Sequence, residues 1–81
     1  MARVFSHPLV RAARVWRAES HDGSEQRVLV VVTTLELDAR KNRYKAKLVE
    51  KLTRAAKEHL EQSSEAGSFI IMNPLGQSRG G

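Results

Sequence analysis

The sequence contains no cysteine and no long apolar run. Without thiols, the chain can form no disulfide framework, cysteine metal site or thiolate nucleophile. The longest apolar run, residues 28–32, has five residues, whereas a membrane-spanning helix needs roughly 18 or more. The beginning of the sequence also lacks the apolar segment of a signal peptide. We therefore predict a cytoplasmic protein that makes no membrane contact.

Aromatic residues are scarce as well, which limits the size of the core. The four present, Phe5, Trp16, Tyr44 and Phe69, are expected to anchor it together with Val, Leu and Ile. With 81 residues the chain is predicted to form a single domain over 1–75, followed by a flexible tail over 76–81. Because a domain of this size often gains only about 3–5 kcal/mol from its core, self-association through a sheet edge or a helix face is expected.

The sequence offers no constellation typical of catalysis. His7, His21 and His59 lie in separate segments without the spacing of a metal pair. A Gly-x-Ser-x-Gly nucleophile motif is absent, and the glycines form no phosphate loop. We therefore predict no catalytic residue, no metal and no cofactor, so an enzyme is unsupported.

Positive charge dominates what is present. Lys and Arg total 14 against 9 acidic residues, giving a net charge of +5, which favours nucleic acid or an acidic protein as partner. A basic cluster in the middle of the chain supplies the candidate nucleic-acid-binding residues: Arg40, Lys41, Arg43, Lys45, Lys47, Lys51, Arg54 and Lys57. Arg11, Arg14 and Arg17 are additional candidates, and the sign reverses afterwards at Glu58, Glu61 and Glu65.

Three elements are predicted from local patterns. Residues 27–37 are rich in β-branched side chains and indicate a strand, residues 48–62 favour a helix, and residues 68–72 form a final buried strand before the Asn-Pro breaker. Residues 5–19 fit two structures. They form either a helix capped by Ser6 or a strand that pairs with 27–37 through the turn at Asp22-Gly23.

Residues 38–47 also fit two structures. In a hairpin, Tyr44, Ala46 and Leu48 point inward and the basic residues between them outward. In a helix capped by Asp38, an apolar stripe begins at Tyr44. We favour the hairpin, because cations in the first turns of a helix oppose its dipole by about 0.3–1 kcal/mol each. The predicted fold is then α+β, with a small antiparallel sheet of three to four strands packed against one main helix near residues 48–62.

Two resemblances to known families follow from this element order. Gly80-Gly81, after a hairpin, a helix and a final strand, resembles the end of ubiquitin-like modifiers and sulfur carriers. Residues 28–73 resemble the strand–helix–strand unit of the tautomerase superfamily, which implies a related scaffold and an oligomeric enzyme. That family uses an amino-terminal proline as base, whereas Pro8 of this chain is internal.

The function is predicted from the basic cluster. We predict a small basic non-enzymatic binding module that contacts nucleic acid or a ribonucleoprotein through a basic patch. Because only Tyr44 lies within the cluster, contact with the phosphate backbone is favoured over base stacking. The alternative is a structural or protein-interaction module that dimerises or docks on an acidic protein. A further interpretation is that the basic cluster only forms a solvated surface that keeps a small domain soluble.

Overall fold

A computed structural model describes residues 5–38, 40–63 and 66–80. The elements, in chain order, are β1 (Val10–Glu19), β2 (Glu25–Thr33), α1 (Arg43–Gln62), β3 (Ser68–Met72) and β4 (Ser78–Gly80). The strands form one four-stranded sheet in the order β1-β2-β3-β4, and α1 packs against it. The predicted α+β class, with one main helix, is confirmed.

The sheet is mixed, which corrects the expectation of a purely antiparallel one. β1 pairs with β2 and β3 with β4 in antiparallel fashion, but β2 and β3 run parallel. The reason is α1, which carries the chain back along the sheet so that β3 starts at the same end as β2. The strand–helix–strand order implied by the resemblance to the tautomerase superfamily is therefore present as β2, α1 and β3.

Residues 10–19 form a strand, which resolves the first open alternative. β1 and β2 are joined by a turn in which the Asp22 carboxylate accepts hydrogen bonds from the Ser20 hydroxyl and from the Ser24 amide, the latter at 2.9 Å. Hydrogen bonds from the Ser20 and Ser24 side chains, and then from the Ser24 amide, hold the pKa of Asp22 well below its usual range. Gly23 has a φ of 83°, a value that glycine adopts most readily.

The hairpin favoured for residues 38–47 is wrong, because α1 begins at Arg43. Its N-cap is Asn42 rather than Asp38, and the Asn42 Oδ1 accepts a hydrogen bond from the Lys45 amide at 3.1 Å. The helix buries Val49, Leu52 and Ala56 against the sheet. The Asn42 cap contributes about 0.5–2 kcal/mol, and Lys45 contacts Glu36 at 3.0 Å. Together they offset the roughly 0.3–1 kcal/mol by which a cation in the first turn opposes the dipole.

The core lies between α1 and one face of the sheet. Leu29, Val31 and Thr33 of β2 are buried on this face, as are Phe69 and Ile71 of β3. Val28, Val30 and Val32 point to the opposite face and are only partly buried. The described residues place no helix over that opposite face, so the sheet is covered on one side.

Two of the four expected aromatic anchors are not in the core. Phe5 and Phe69 are buried, but Trp16 is 61% exposed and Tyr44 is 70% exposed. Trp16 pairs with Val28 and therefore lies on the uncovered face of the sheet, while Tyr44 occupies the first turn of α1 away from the sheet. Aromatic character alone did not distinguish these positions from the buried ones.

The segment predicted as a flexible tail contains the last strand. A turn stabilised by Asn73 and Gln77, whose amide donates to the Asn73 Oδ1 at 3.0 Å, leads residues 78–80 back along β3 as β4. Gly80 of the terminal diglycine is paired with Ile70 in the sheet, and Gly81 lies outside the described residues. The assignment of 76–81 to a tail is therefore corrected for the residues of β4.

Candidate nucleic-acid interface

The outer face of α1 carries a row of four cations, which we call the basic stripe: Arg43, Lys47, Lys51 and Arg54. At 100° per residue, these side chains fall within about 80° of the helix circumference. All four are exposed, on the side opposite Leu52. From Arg43 to Arg54 the helix rises about 17 Å, so the basic stripe forms a straight positive surface of that length.

Within the described residues, none of the four side chains of the basic stripe belongs to an ion pair. The acidic residues of α1 lie beside the stripe, at Glu50, or toward the end of the helix, at Glu58 and Glu61. Glu65 lies outside the described residues. The charges of the stripe are therefore available to an anion from solution without first breaking a contact in the protein.

Two of the predicted basic residues instead contact carboxylates that precede the helix. The Arg40 Nε lies 3.2 Å from the Asp38 Oδ1, and the Lys45 Nζ lies 3.0 Å from the Glu36 Oε2. Such exposed pairs contribute about 0–1 kcal/mol, so a phosphate could replace either carboxylate at little cost. These pairs reduce the net positive charge just before α1.

The remaining residues of the cluster lie beside the stripe. Lys41 is exposed in the loop before α1. Lys57 lies on the flank of the helix, where it lines an open groove of about 570 Å³ with Leu60, Phe69 and Gly80. The structure thus brings four of the eight candidates into one row. Arg40 and Lys41 precede this row and Lys57 flanks it, whereas Lys45 lies on the other side of the first turn, where it contacts Glu36.

The three additional candidates on β1 do not extend the basic stripe. Arg11 sits at the irregularity in pairing between Val10 and Ala12. Arg14 points to the uncovered face of the sheet, whereas Arg17 points to the opposite face, where its Nε lies 3.3 Å from the Glu25 Oε1. Because these residues are separated by the sheet or lie at its end, they cannot contribute to one surface.

The helix dipole adds to the positive charge at the beginning of α1. The first turn contains no acidic residue, so the free amides at the amino end of the helix and the Arg43 guanidinium share one sign. Glu58 and Glu61 lie toward the other end, where the dipole is negative. The side-chain charges therefore have the same sign as the dipole at each end of α1. This arrangement weakens the isolated helix, and it strengthens the attraction of an anion to the start of the helix.

One basic residue was missed because it lies in the segment predicted as a tail. Arg79 of β4 lines an open groove of about 580 Å³ together with Arg40, Asp38 and Glu50. A turn signal at Asn73-Pro74 followed by a short polar segment was the available indication of a strand here. Tyr44 was expected to point into the core, but its exposed ring lies beside Lys47 and Lys51 on the helix surface.

Two further features concern the part of the chain that the structure describes. No group of three or more His, Asp or Glu side chains there could hold a metal ion, and no helix there is long and apolar enough to cross a membrane. The cytoplasmic location stays a prediction. Comparisons with family models, curated proteins and solved structures find no match to this chain.

Proposed function

We propose that the protein is a nucleic-acid-binding module that contacts the phosphate backbone through the basic stripe. The observation that carries this proposal is the row of four exposed cations on α1 without ion-pair partners among the described residues. Each phosphate that such a side chain neutralises releases a condensed counterion, and this release drives association at low salt.

The geometry of the row favours nucleic acid over an acidic protein. A duplex carries one phosphate per roughly 1.7 Å of its axis, so the 17 Å of the basic stripe spans about ten phosphates. A rigid helix presents its cations at fixed intervals, which suits a regular polyanion. An acidic protein would need carboxylates in a matching row.

Contact with the backbone, rather than reading of bases, is the mode that these residues support. Base recognition in a single strand needs several aromatic platforms or paired donors and acceptors, and the basic stripe has only Tyr44 beside it. The module should therefore bind duplexes with little sequence preference and with strong dependence on salt.

The test compares two triple variants with the same net charge. The stripe variant has glutamine in place of Lys47, Lys51 and Arg54. The control variant has glutamine in place of Arg17, Arg27 and Arg79. Binding of a fluorescein-labelled 20-base-pair DNA or RNA duplex is measured by anisotropy between 50 and 200 mM salt. If all four cations of the stripe contact phosphates, the slope of log K against log salt is about −3.6 for the parent.

In the stripe variant the magnitude of this slope should fall by about 2.7, because each of the three lost phosphate contacts contributes about 0.9. The control variant should keep most of the parent slope, because its three arginines lie outside the stripe. Equal losses in the two variants would mean that net charge alone attracts the duplex, and the proposal would be rejected. The absence of binding to either duplex at 50 mM salt would reject it as well.

An acidic polypeptide is tested in the same assay. Poly-glutamate of matched total charge is added as competitor to the protein–duplex complex. The proposal requires that the duplex be displaced only at a large excess of poly-glutamate. Displacement at equal charge concentration would indicate an acidic protein as partner.

A further inference from the structure

The outer edge of β1 is open. β1 is the first strand of the sheet and pairs with β2 alone, and among the described residues no backbone group from another segment pairs with its outer side over residues 12–19. With ten residues, β1 is the longest strand, and it contains no proline. Natural proteins usually protect such an edge, because its free N–H and C=O groups can pair with another strand.

The hairpin determines which backbone groups point outward. The Ser20 amide donates to the Ser24 carbonyl at 2.9 Å, so Ser20 and Ser24 form a hydrogen-bonded pair. Such pairs alternate along an antiparallel ladder, and Glu19, Arg17, Val15 and Ala13 therefore direct their N–H and C=O groups away from β2. A bond on the far side of β2 agrees with this assignment, because the Arg27 carbonyl, opposite Arg17, accepts from the Gly67 amide.

The sequence of β1 is complementary to itself about Val15. When the strand is laid antiparallel on a copy of itself with Val15 opposite Val15, Arg11, at the irregularity next to Ala12, comes close to Glu19 at both ends. Arg14 then faces Trp16, and Ala12 faces Ala18. Opposite charges at the ends, and a cation beside an aromatic ring on each side of the centre, are favourable cross-strand pairs.

We propose that the protein dimerises by antiparallel pairing of β1 with β1 of a second copy, centred on Val15, to give a continuous eight-stranded sheet. In this register the outward groups of Ala13, Val15 and Arg17 form the hydrogen-bonded pairs, with about six backbone hydrogen bonds across the centre. The Arg14–Trp16 pairs fall at non-hydrogen-bonded positions, where side chains approach most closely.

Neighbouring registers are less favourable. Centring on Arg14 places Arg14 opposite Arg14 and Arg11 opposite Arg17, and like charges directly opposite each other destabilise a sheet. Centring on Trp16 shortens the paired segment to residues 13–19 and leaves Arg11 without its acidic partner. Register is therefore specified by the positions of Arg11, Arg14 and Glu19.

The occupant of this edge is a second copy rather than a different protein, because the strand supplies both members of each complementary pair. Arg11 and Glu19 have opposite charges and lie equally far from Val15 in the sequence. Arg14 and Trp16 also lie equally far from Val15, and they supply a cation and an aromatic ring on the uncovered face of the sheet. The dimer forms without nucleic acid, and it is tested in the absence of any polyanion.

Pairs of cysteine variants test the register directly, since the chain has no cysteine of its own. Ala12→Cys and Ala18→Cys proteins are mixed and oxidised briefly with copper–phenanthroline, and crosslinked dimers are measured by mass spectrometry. Cβ atoms of a directly opposed pair lie about 4.5–5.5 Å apart, close to the spacing of a disulfide. The mixture should give the 12–18 heterodimer as its main product.

Each single variant alone should crosslink poorly, because its two thiols would be about 20 Å apart along the paired strands. A mixture of Ala12→Cys with Gln26→Cys serves as the matched control, since Gln26 on β2 is also exposed. Equal yields in the control and in the 12–18 mixture would overturn the proposed register.

Sedimentation velocity of the protein without cysteine tests dimerisation itself. The parent should shift with concentration from the 9.1 kDa monomer to a species of twice that mass, and Val15→Pro should remain monomeric at every concentration. Proline removes only an amide that points outward, and so should leave the pairing of β1 with β2 intact. Val15→Thr keeps the amide and should dimerise like the parent.

A parent that stays monomeric up to millimolar concentration would overturn the proposal, as would a Val15→Pro protein that folds and still dimerises. Circular dichroism establishes whether Val15→Pro is folded. If it is not, the yields of the cysteine mixtures decide between the proposed register and any other.

Discussion

The outer face of α1 and the outer edge of β1 are both uncovered, but they lack different partners. The basic stripe on α1 has charges without counterions, whereas its backbone groups are satisfied within the helix. The edge of β1 has free backbone groups, whereas its charges are arranged to match a copy of itself. The first surface is suited to a polyanion of almost any sequence, and the second to one particular strand.

This difference also appears in how each surface relates to stability. Arg43, the first cation of the basic stripe, stands where the helix dipole disfavours a cation, so the fold gives up some stability to hold positive charge at the start of α1. Extension of β1 along its outer edge has no such electrostatic conflict. A small domain can thus place a destabilising charge pattern on a helix whose inner face is well packed.

The largest effect is expected from the inner face of α1, which packs against the sheet. Leu52→Ala should lower the free energy of unfolding by about 2–5 kcal/mol, because it opens a cavity at a fully buried position. Lys51→Ala, one residue away on the stripe, should change it by less than about 0.5 kcal/mol. Urea denaturation measures both, and a Lys51 effect as large as that of Leu52 would show that the stripe has a structural role.

A smaller effect is expected at the edge of β1. Trp16→Ala should raise the dissociation constant of the dimer about 5–30-fold, because two cation–π contacts of roughly 0.5–1 kcal/mol each are lost. Sedimentation equilibrium measures this change, and Trp16→Phe should give a milder one. The fold of the monomer should be little affected, since Trp16 is mostly exposed. An unchanged dissociation constant would argue that Arg14 and Trp16 do not face each other.

A still smaller effect is expected at the start of α1. Arg43→Gln should raise the free energy of unfolding by about 0.3–1 kcal/mol at low salt, because it removes a cation from the positive end of the helix dipole. Arg54→Gln, in the fourth turn, should bring no such gain, although both variants should bind a duplex more weakly. Urea denaturation at 20 mM and 500 mM salt measures the difference, which should shrink at high salt. Equal stability changes would contradict the dipole argument.

The smallest effect concerns the turn that aligns β1 with β2. The pKa of Asp22 is depressed in the folded state, so the carboxylate stabilises the turn above its ordinary pKa of 3.8. This contribution is lost as the pH falls from that value through the folded pKa. Amide exchange of β1 should quicken slightly below pH 3.8 in the parent. It should show no such step in Asp22→Asn, and a step of equal size in both proteins would exclude Asp22 as its origin.

Much of the fold could be predicted because its signals are local. Residues 68–72 form the predicted strand, and the helix extends to residue 62, since both segments have one dominant pattern. The segment 38–47 could not be predicted, because its alternation of basic and apolar residues fits a strand as well as a helix. Capping by Asn42 and the contact of Lys45 with Glu36 favour the helix, and β4 likewise forms where the edge of β3 is available.

The candidate site could be predicted by residue type but not by arrangement. The candidate residues Arg40 and Lys45 contact Asp38 and Glu36, two carboxylates that precede α1. Whether Lys47 and Arg54 share a face with Arg43 depends on the helical period, which the sequence left open. Exposure of Tyr44 depends on where the helix begins, and this too was undetermined.

The placement of α1 on a single side of the sheet has a consequence for the proposed dimer. Antiparallel edge pairing has its twofold axis perpendicular to the sheet, so both helices would lie on the same side. Since α1 packs most closely on β3, the helices would run roughly 25 Å apart at a strand spacing of about 4.8 Å. One long duplex could then touch both, and each association would favour the other by the same coupling free energy. Pairing of the two β1 strands would then strengthen binding of the duplex, and binding of the duplex would strengthen the pairing.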